Sequence, residues 1–208
     1  MSRYLLRLCV FAATLALLSP SLSYGQDQDN FEVFGGFSAL HVSVDDNFLD
    51  NSSWGYGGIG ELTWFVTDWF GIGGEVAYHQ YSPQIPPNIF VGGGIDASQT
   101  TFLAGMRFRF RNSSRFVPSG RVMMGVGHLN AAVHLIPRRP WDRLPEFWGE
   151  PFRYEDSDNS FTVALGGALD INVSDRIAIR AIQPDILITN YGGSSADIRI
   201  STGLLVRF

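Results

Sequence analysis

The chain has 208 residues with 15 basic and 20 acidic side chains, a net charge of −5, and every basic residue is an arginine. An acidic chain without a basic stripe excludes nucleic acid as the expected partner. Its 45% hydrophobic residues, 23 glycines and 16 phenylalanines suit a β-protein with an apolar surface.

The first element is a leader. Arg3 and Arg7 make a basic start, Leu8 to Leu18 is an apolar run too short to span a bilayer, and Ser19-Pro20 breaks it. Ser23 and Gly25 then supply small residues before the polar switch Gln26-Asp27-Gln28-Asp29-Asn30. This is the anatomy of a cleavable signal peptide over residues 1–25, leaving one domain over 26–208. Cleavage there removes Cys9, the single cysteine, so neither a disulfide framework nor a thiol nucleophile is expected. No apolar run after Leu18 approaches the ~20 residues of a spanning helix. A membrane span would therefore have to be a closed barrel, the other way to satisfy backbone groups in hydrocarbon.

Period-two runs bounded by turn residues predict eight strands. They are Phe31–Val44, Trp54–Phe65, Phe70–Tyr81, Ser98–Arg111, Gly120–Val133, Ser160–Val173, Arg176–Thr189 and Asp197–Phe208. In the fourth, Phe102, Ala104, Met106, Phe108 and Phe110 share a face opposite Thr101, Leu103, Gly105, Arg107, Arg109 and Arg111. An arginine near a bilayer midplane costs ~2–4 kcal/mol, so the arginine face must turn to the lumen and the phenylalanines to lipid. The sixth agrees, with Phe161, Val163, Leu165, Gly167, Leu169 and Ile171 opposing Thr162, Ala164, Gly166, Ala168, Asp170 and Asn172. The eighth sets Ile198, Ile200, Thr202, Leu204, Val206 and Phe208 against Asp197, Arg199, Ser201, Gly203, Leu205 and Arg207. A soluble lipocalin-like barrel is the competing architecture, but it would carry its charge outside.

Connections alternate in length. Val66–Trp69, Asn112–Ser119 and Ser174-Asp175 are short; Asp45–Ser53, Ser82–Ala97, His134–Asn159 and Asn190–Ala196 are long. With an even strand number, both termini belong to the short-turn side, which a membrane barrel keeps in the periplasm. Trp54, Tyr56, Trp64, Phe65, Trp69, Phe70, Tyr78, Tyr81 and Tyr191 fall near strand ends, as interfacial aromatic belts do.

Val33-Phe-Gly-Gly-Phe-Ser, the run Gly166 to Arg180 and the closing aromatic strand together resemble the small eight-stranded OmpA/OmpX-type outer-membrane β-barrel domains. The resemblance covers nearly the whole mature chain. It implies an all-β, antiparallel, up-and-down transmembrane barrel in the bacterial outer membrane. It also implies lipid and lipopolysaccharide as surroundings, and Phe208 as the signal read by the barrel-assembly machinery. Larger members continue into a peptidoglycan-binding domain; this chain ends at the barrel, so tethering is not carried over.

Candidate lumen charges are Glu61, Glu75, Arg107, Arg109, Arg121, Asp170, Arg180, Arg199 and Arg207. Eight strands leave room only for side chains, so buried charges must pair into an Arg–carboxylate plug; a narrow gated ion path is the alternative. Pro184 cannot donate to a ladder and predicts a bulge nearby, which leaves the face of Asp185 open. The third long connection, with Arg138, Arg139, Trp141 and Trp148, holds interface-type residues for an extracellular protein or surface ligand. It could equally fold over the barrel mouth with no partner. A lipid A-modifying enzyme is the remaining alternative. His41-Val42-Ser43 is its single His-x-Ser spacing and has no placed acid, while His79, His128 and His134 read as interfacial residues. The expectation is therefore a structural or surface-interaction protein, not an enzyme, with no cofactor and no metal.

Overall fold

Alternation of apolar and polar residues every second position makes a two-faced strand, and eight such strands here roll up until the last meets the first. In the computed structural model, which describes residues 30–42, 45–46, 49–50, 53–81, 91–110, 115–137, 152–190 and 194–208, the strands form a closed antiparallel barrel. They are β1 (Phe31–Val42), β2 (Ser53–Phe65), β3 (Phe70–Tyr81), β4 (Val91–Arg109), β5 (Phe116–Pro137), β6 (Phe152–Asn172), β7 (Ile177–Asn190) and β8 (Ser194–Arg207). Each pairs with its sequence neighbours, and β8 closes on β1 from Glu32↔Arg207 to His41↔Ile198. Beyond β8, the Phe208 amide donates to the Phe31 carbonyl at 2.9 Å, and the Phe31 amide donates back to Phe208 at 3.3 Å.

Two of the short turns share one local chemistry. The amides of Val66 and Thr67 donate to the Phe70 carbonyl, and those of Val173 and Ser174 donate to the Ile177 carbonyl. In return Thr67 Oγ1 accepts from the Phe70 amide at 3.0 Å, and Ser174 Oγ accepts from the Ile177 amide at 3.1 Å. A hydroxyl at the second turn residue thus satisfies an amide that the ladder leaves over. These turns and both barrel termini lie at one end (the turn end), and the long connections lie at the other (the loop end).

The strands β4, β5 and β6 run to 19, 22 and 21 residues; β4 and β6 begin well before their predicted starts, and β5 passes its prediction at both ends. Parts of the predicted connections Ser82–Ala97 and His134–Asn159 are therefore strand, paired from Val91↔Pro137 to Asp96↔Ala132 and from Leu135↔Phe152 to His128↔Asn159. From Tyr154 to Asn159 every side chain is exposed. A strand wetted on both faces has no reason to alternate, so Glu155-Asp156-Ser157-Asp158-Asn159 gives no period-two signal. The connection between β1 and β2 also holds a two-residue ladder, Asp45–Asp46 against Leu49–Asp50.

The two faces of the wall separate cleanly. Phe102, Phe161 and Ile186 are 56%, 60% and 51% exposed outside, while Glu75, Arg180 and Arg199 are 3%, 1% and 0% exposed inside. Charge inside and grease outside rules out the soluble lipocalin-like alternative. The interior also holds two apolar clusters, one of Phe34, Ile59, Ala77, Ala178 and Leu205, the other of Leu40, Leu103, Met123, Ala164 and Leu187.

One irregularity sets a whole strand. Register shifts occur between Leu169 and Asp170 on β6 and between Ser201 and Gly203 on β8, both facing Ala181-Ile182 of β7. Ala181 and Ile182 both point outward, so the bulge lies just before the predicted Pro184 and carries one extra residue. Without it, Arg180 and Asp185 would fall on opposite faces; with it, both enter the lumen. Thr202 Oγ1 donates to the Arg180 carbonyl at 2.9 Å beside the bulge, replacing a bond the shifted ladder omits.

Candidate functional site in the barrel lumen

The buried charges of the described residues are Arg107, Arg109, Arg121, Arg180, Arg199 and Arg207 against Glu32, Glu61, Glu75, Asp170, Asp185 and Asp197. Six cations thus face six anions among the described residues.

Their arrangement on the wall looks unfavourable strand by strand. Glu61 lies opposite Glu75 across β2 and β3, and Arg107 lies opposite Arg121 across β4 and β5. Like charges side by side on a sheet repel. Closure turns the two pairs toward each other. Arg121 Nη1 donates to Glu75 at 2.5 Å and to Glu61 at 3.0 Å, and Arg107 Nη2 donates to Glu61 at 2.7 Å. On its other side Arg121 grips Asp185 with two bonds, Nε to Oδ1 at 2.8 Å and Nη2 to Oδ2 at 2.6 Å. Arg199 donates to the same carboxylate at 3.0 Å and pairs with Glu75 at 2.7 Å. Arg180 binds Asp170 at 2.8 Å, Gln183 at 2.7 Å and Glu61 at 3.3 Å, with its guanidinium 4.3 Å from the Phe34 ring centroid. Bidentate, charge-assisted bonds of this kind are the geometry in which a buried pair recovers its desolvation cost.

A second hub closes the turn end. Glu32 Oε1 accepts from Arg109 at 2.5 Å and from Arg207 at 2.8 Å, and Arg207 also donates to Asn172 at 2.7 Å. Arg109 lies 3.7 Å from the Phe65 ring centroid and donates to the Asp68 carbonyl at 3.3 Å. Phe65 therefore faces the lumen, not the aromatic belt predicted for it, because it is the platform under an arginine. The belt itself is seen at Trp54, Tyr56, Trp64 and Trp69, which are exposed outside, with Phe31 stacked on Trp64 and Phe37 on Tyr56.

Toward the loop end, where Asp197 is also buried, the lumen holds a neutral hydrogen-bonded group. His79 Nε2 hydrogen-bonds Ser38 Oγ at 2.8 Å, and Ser38 bonds Ser201 Oγ at 2.8 Å. Gly57 lies between Ser38 and His79 in the register, and having no side chain it lets the ring span β2. A Cβ at Gly57 would collide with the Tyr78 carbonyl. The interfacial reading of His79 is thus corrected: its neighbour Tyr78 faces out, so His79 faces in.

All nine predicted lumen residues are buried, and the network adds Glu32, Asp185, Asp197, Gln183 and Ser38. Glu32 shares its face with Phe34 and Leu40, which masks the polar signal; Asp185 depends on the bulge. Arg111, Arg138, Arg139, Trp141 and Trp148 lie outside the described residues. His41 packs edge-on against Trp54 with centroids 4.8 Å apart; Ser43, its expected partner, also lies outside them. His128 bonds Asn159 at 2.8 Å in the exposed extension. Among the described residues no group of three or more His, Cys, Asp or Glu could hold a metal ion.

A closed sheet, greasy outside and charge-paired inside, defines a transmembrane β-barrel. The family model for the outer membrane protein beta-barrel domain matches residues 9–208, and the chain belongs to that family. It is thus a bacterial outer-membrane barrel. No curated relative matches it in sequence. Among solved structures it is similar to Neisserial surface protein A, at 12% identity and a TM-score of 0.57 over 86% of this chain and 97% of that one. It is also similar to Ail, the attachment invasion locus protein of Yersinia pestis, at 16% identity and a TM-score of 0.52 over the same shares. Ail in complex with the heparin analogue sucrose octasulfate aligns with a TM-score of 0.54, at 16% identity over 86% of this chain and 97% of that one. At these identities the likeness is one of fold.

Proposed function

We propose that this barrel is a non-conducting surface-interaction protein. Residues 1–25 are its cleaved leader, its turn end and both termini lie in the periplasm, and its loop end faces outward among lipopolysaccharide. The observation that carries this reading is the charge-paired lumen, six buried arginines facing six buried carboxylates among the described residues. An ion crossing it would have to break charge-assisted bonds at the Glu61 layer and again at the Glu32 hub. Binding to an extracellular protein or surface ligand then falls to the outer connections, with Arg138, Arg139, Trp141 and Trp148 as the contact residues. Support comes from the fold shared with Ail, which has been solved with a heparin analogue, and from the projecting β4–β6 sheet that raises these connections.

Purified barrel in planar lipid bilayers is expected to give no discrete conductance steps; regular openings would favour the gated-pore reading instead. In parallel, cells displaying the wild type should retain a heparin-type glycan or an extracellular matrix protein better than cells displaying a Trp141→Ala/Trp148→Ala variant. Equal retention of every ligand would remove the surface role. A changed lipid A mass on overexpression would establish the enzyme alternative.

A further inference from the structure

Three buried polar atoms in the loop half of the lumen have no hydrogen-bond partner among the described residues: His79 Nδ1, Thr101 Oγ1 and Thr162 Oγ1. All three side chains are 0% exposed. A buried hydrogen-bonding group left unmet costs ~1–3 kcal/mol, so three neutral ones together in the loop half call for partners of another kind. They share one stretch of wall. His79 pairs in register with Gln99 and Ala77 with Thr101, which makes Thr101 the diagonal neighbour of His79. On β5, the residues opposite Thr101 and Thr162 are Gly127 and Gly125. Neither offers a partner, and a Cβ at Gly125 would strike the backbone of β4 at Phe102 and Leu103, so no side chain fits there. The His79 ring is held through Nε2 on Ser38, which fixes where Nδ1 points.

We propose that this level of the barrel is a built hydration site, binding water between His79, Thr101 and Thr162 within the membrane span. The three groups are themselves neutral, which suits water as the occupant. The site lies beside the Leu103 and Met123 cluster, and its water takes the place that side chains fill in the charged layer below.

Water-to-protein magnetisation transfer on threonine-labelled and histidine-labelled barrel in nanodiscs tests it. Long-lived water cross-peaks are expected at Thr101, Thr162 and the His79 ring, and those at the partners should vanish in the near-isosteric Thr101→Val/Thr162→Val variant. Absence of the cross-peaks in the wild type overturns the proposal, as does their survival unchanged in the variant. If the variant does not fold, the wild-type spectrum alone decides. Urea unfolding gives an independent reading. A dry site predicts that Thr162→Val raises the midpoint by removing an unmet hydroxyl, and a hydrated one predicts that it falls.

Discussion

Two adjacent layers of one lumen meet burial in opposite ways. Around Arg121 and Glu61, four arginines and four carboxylates from seven strands are bonded to one another at 2.5–3.3 Å. Toward the loop end, Ser38, His79 and Ser201 share two bonds, while Thr101, Thr162 and the second nitrogen of His79 have no hydrogen-bond partner among the described residues. The contrast follows from what a low dielectric penalises. An unpaired buried charge costs several kcal/mol, so every carboxylate needs its arginine in place. A neutral hydroxyl costs less and can be completed by a small mobile donor. The charged layer therefore locks strands at fixed relative heights, and the neutral layer should tolerate change.

Substitution should expose that difference, and urea unfolding in lipid vesicles is the measurement. The largest loss is expected for Arg121→Met, which strips Glu61, Glu75 and Asp185 of a common partner and should cost about 4 kcal/mol. Glu61→Gln follows at about 3 kcal/mol, because Arg107, Arg121 and Arg180 all lose charge compensation. At the turn-end hub Glu32→Gln should cost about 2 kcal/mol, since a neutral amide can still accept from Arg109 or Arg207. Ser38→Ala, in the neutral layer, should lose about 1–2 kcal/mol by taking a partner from His79 and Ser201; a loss equal to that of Glu61→Gln would erase the contrast between the layers. Thr202→Val, outside both layers, should cost about 1 kcal/mol through the unmet Arg180 carbonyl. A separate test concerns assembly rather than stability. Deleting Phe208 removes the closing pair with Phe31 and should lower the amount of barrel in the outer membrane more than it lowers the unfolding midpoint. Normal levels of the truncated chain would dismiss the terminal-signal reading.

Much of this was legible from alternation alone. Strand β3 begins and ends where its period-two run does, and Arg107 and Arg109 face the lumen because the phenylalanines between and beside them face out. The projecting parts of β4, β5 and β6 were not legible, for a strand in water on both sides has no face to mark. Pro184 announced a bulge but not its position, and one extra residue inverts every later parity, so the face of Asp185 stayed open until the shift was placed at Ala181-Ile182. His79 carried the parity signal through Glu75 and Tyr78, but its place near a strand end suggested an interface.

By itself the sequence determined which way most side chains point, because strand geometry makes facing a matter of odd and even positions. Partnership was decided by the tertiary structure. Glu75 and Arg121 are 46 residues apart, and Arg109 and Glu32 are 77 apart. On the open sheet, Glu61 beside Glu75 and Arg107 beside Arg121 would repel, and they become a neutral cluster only when the barrel closes and sets them across one lumen. Closure is a property of all eight strands together, and no local stretch of residues encodes it.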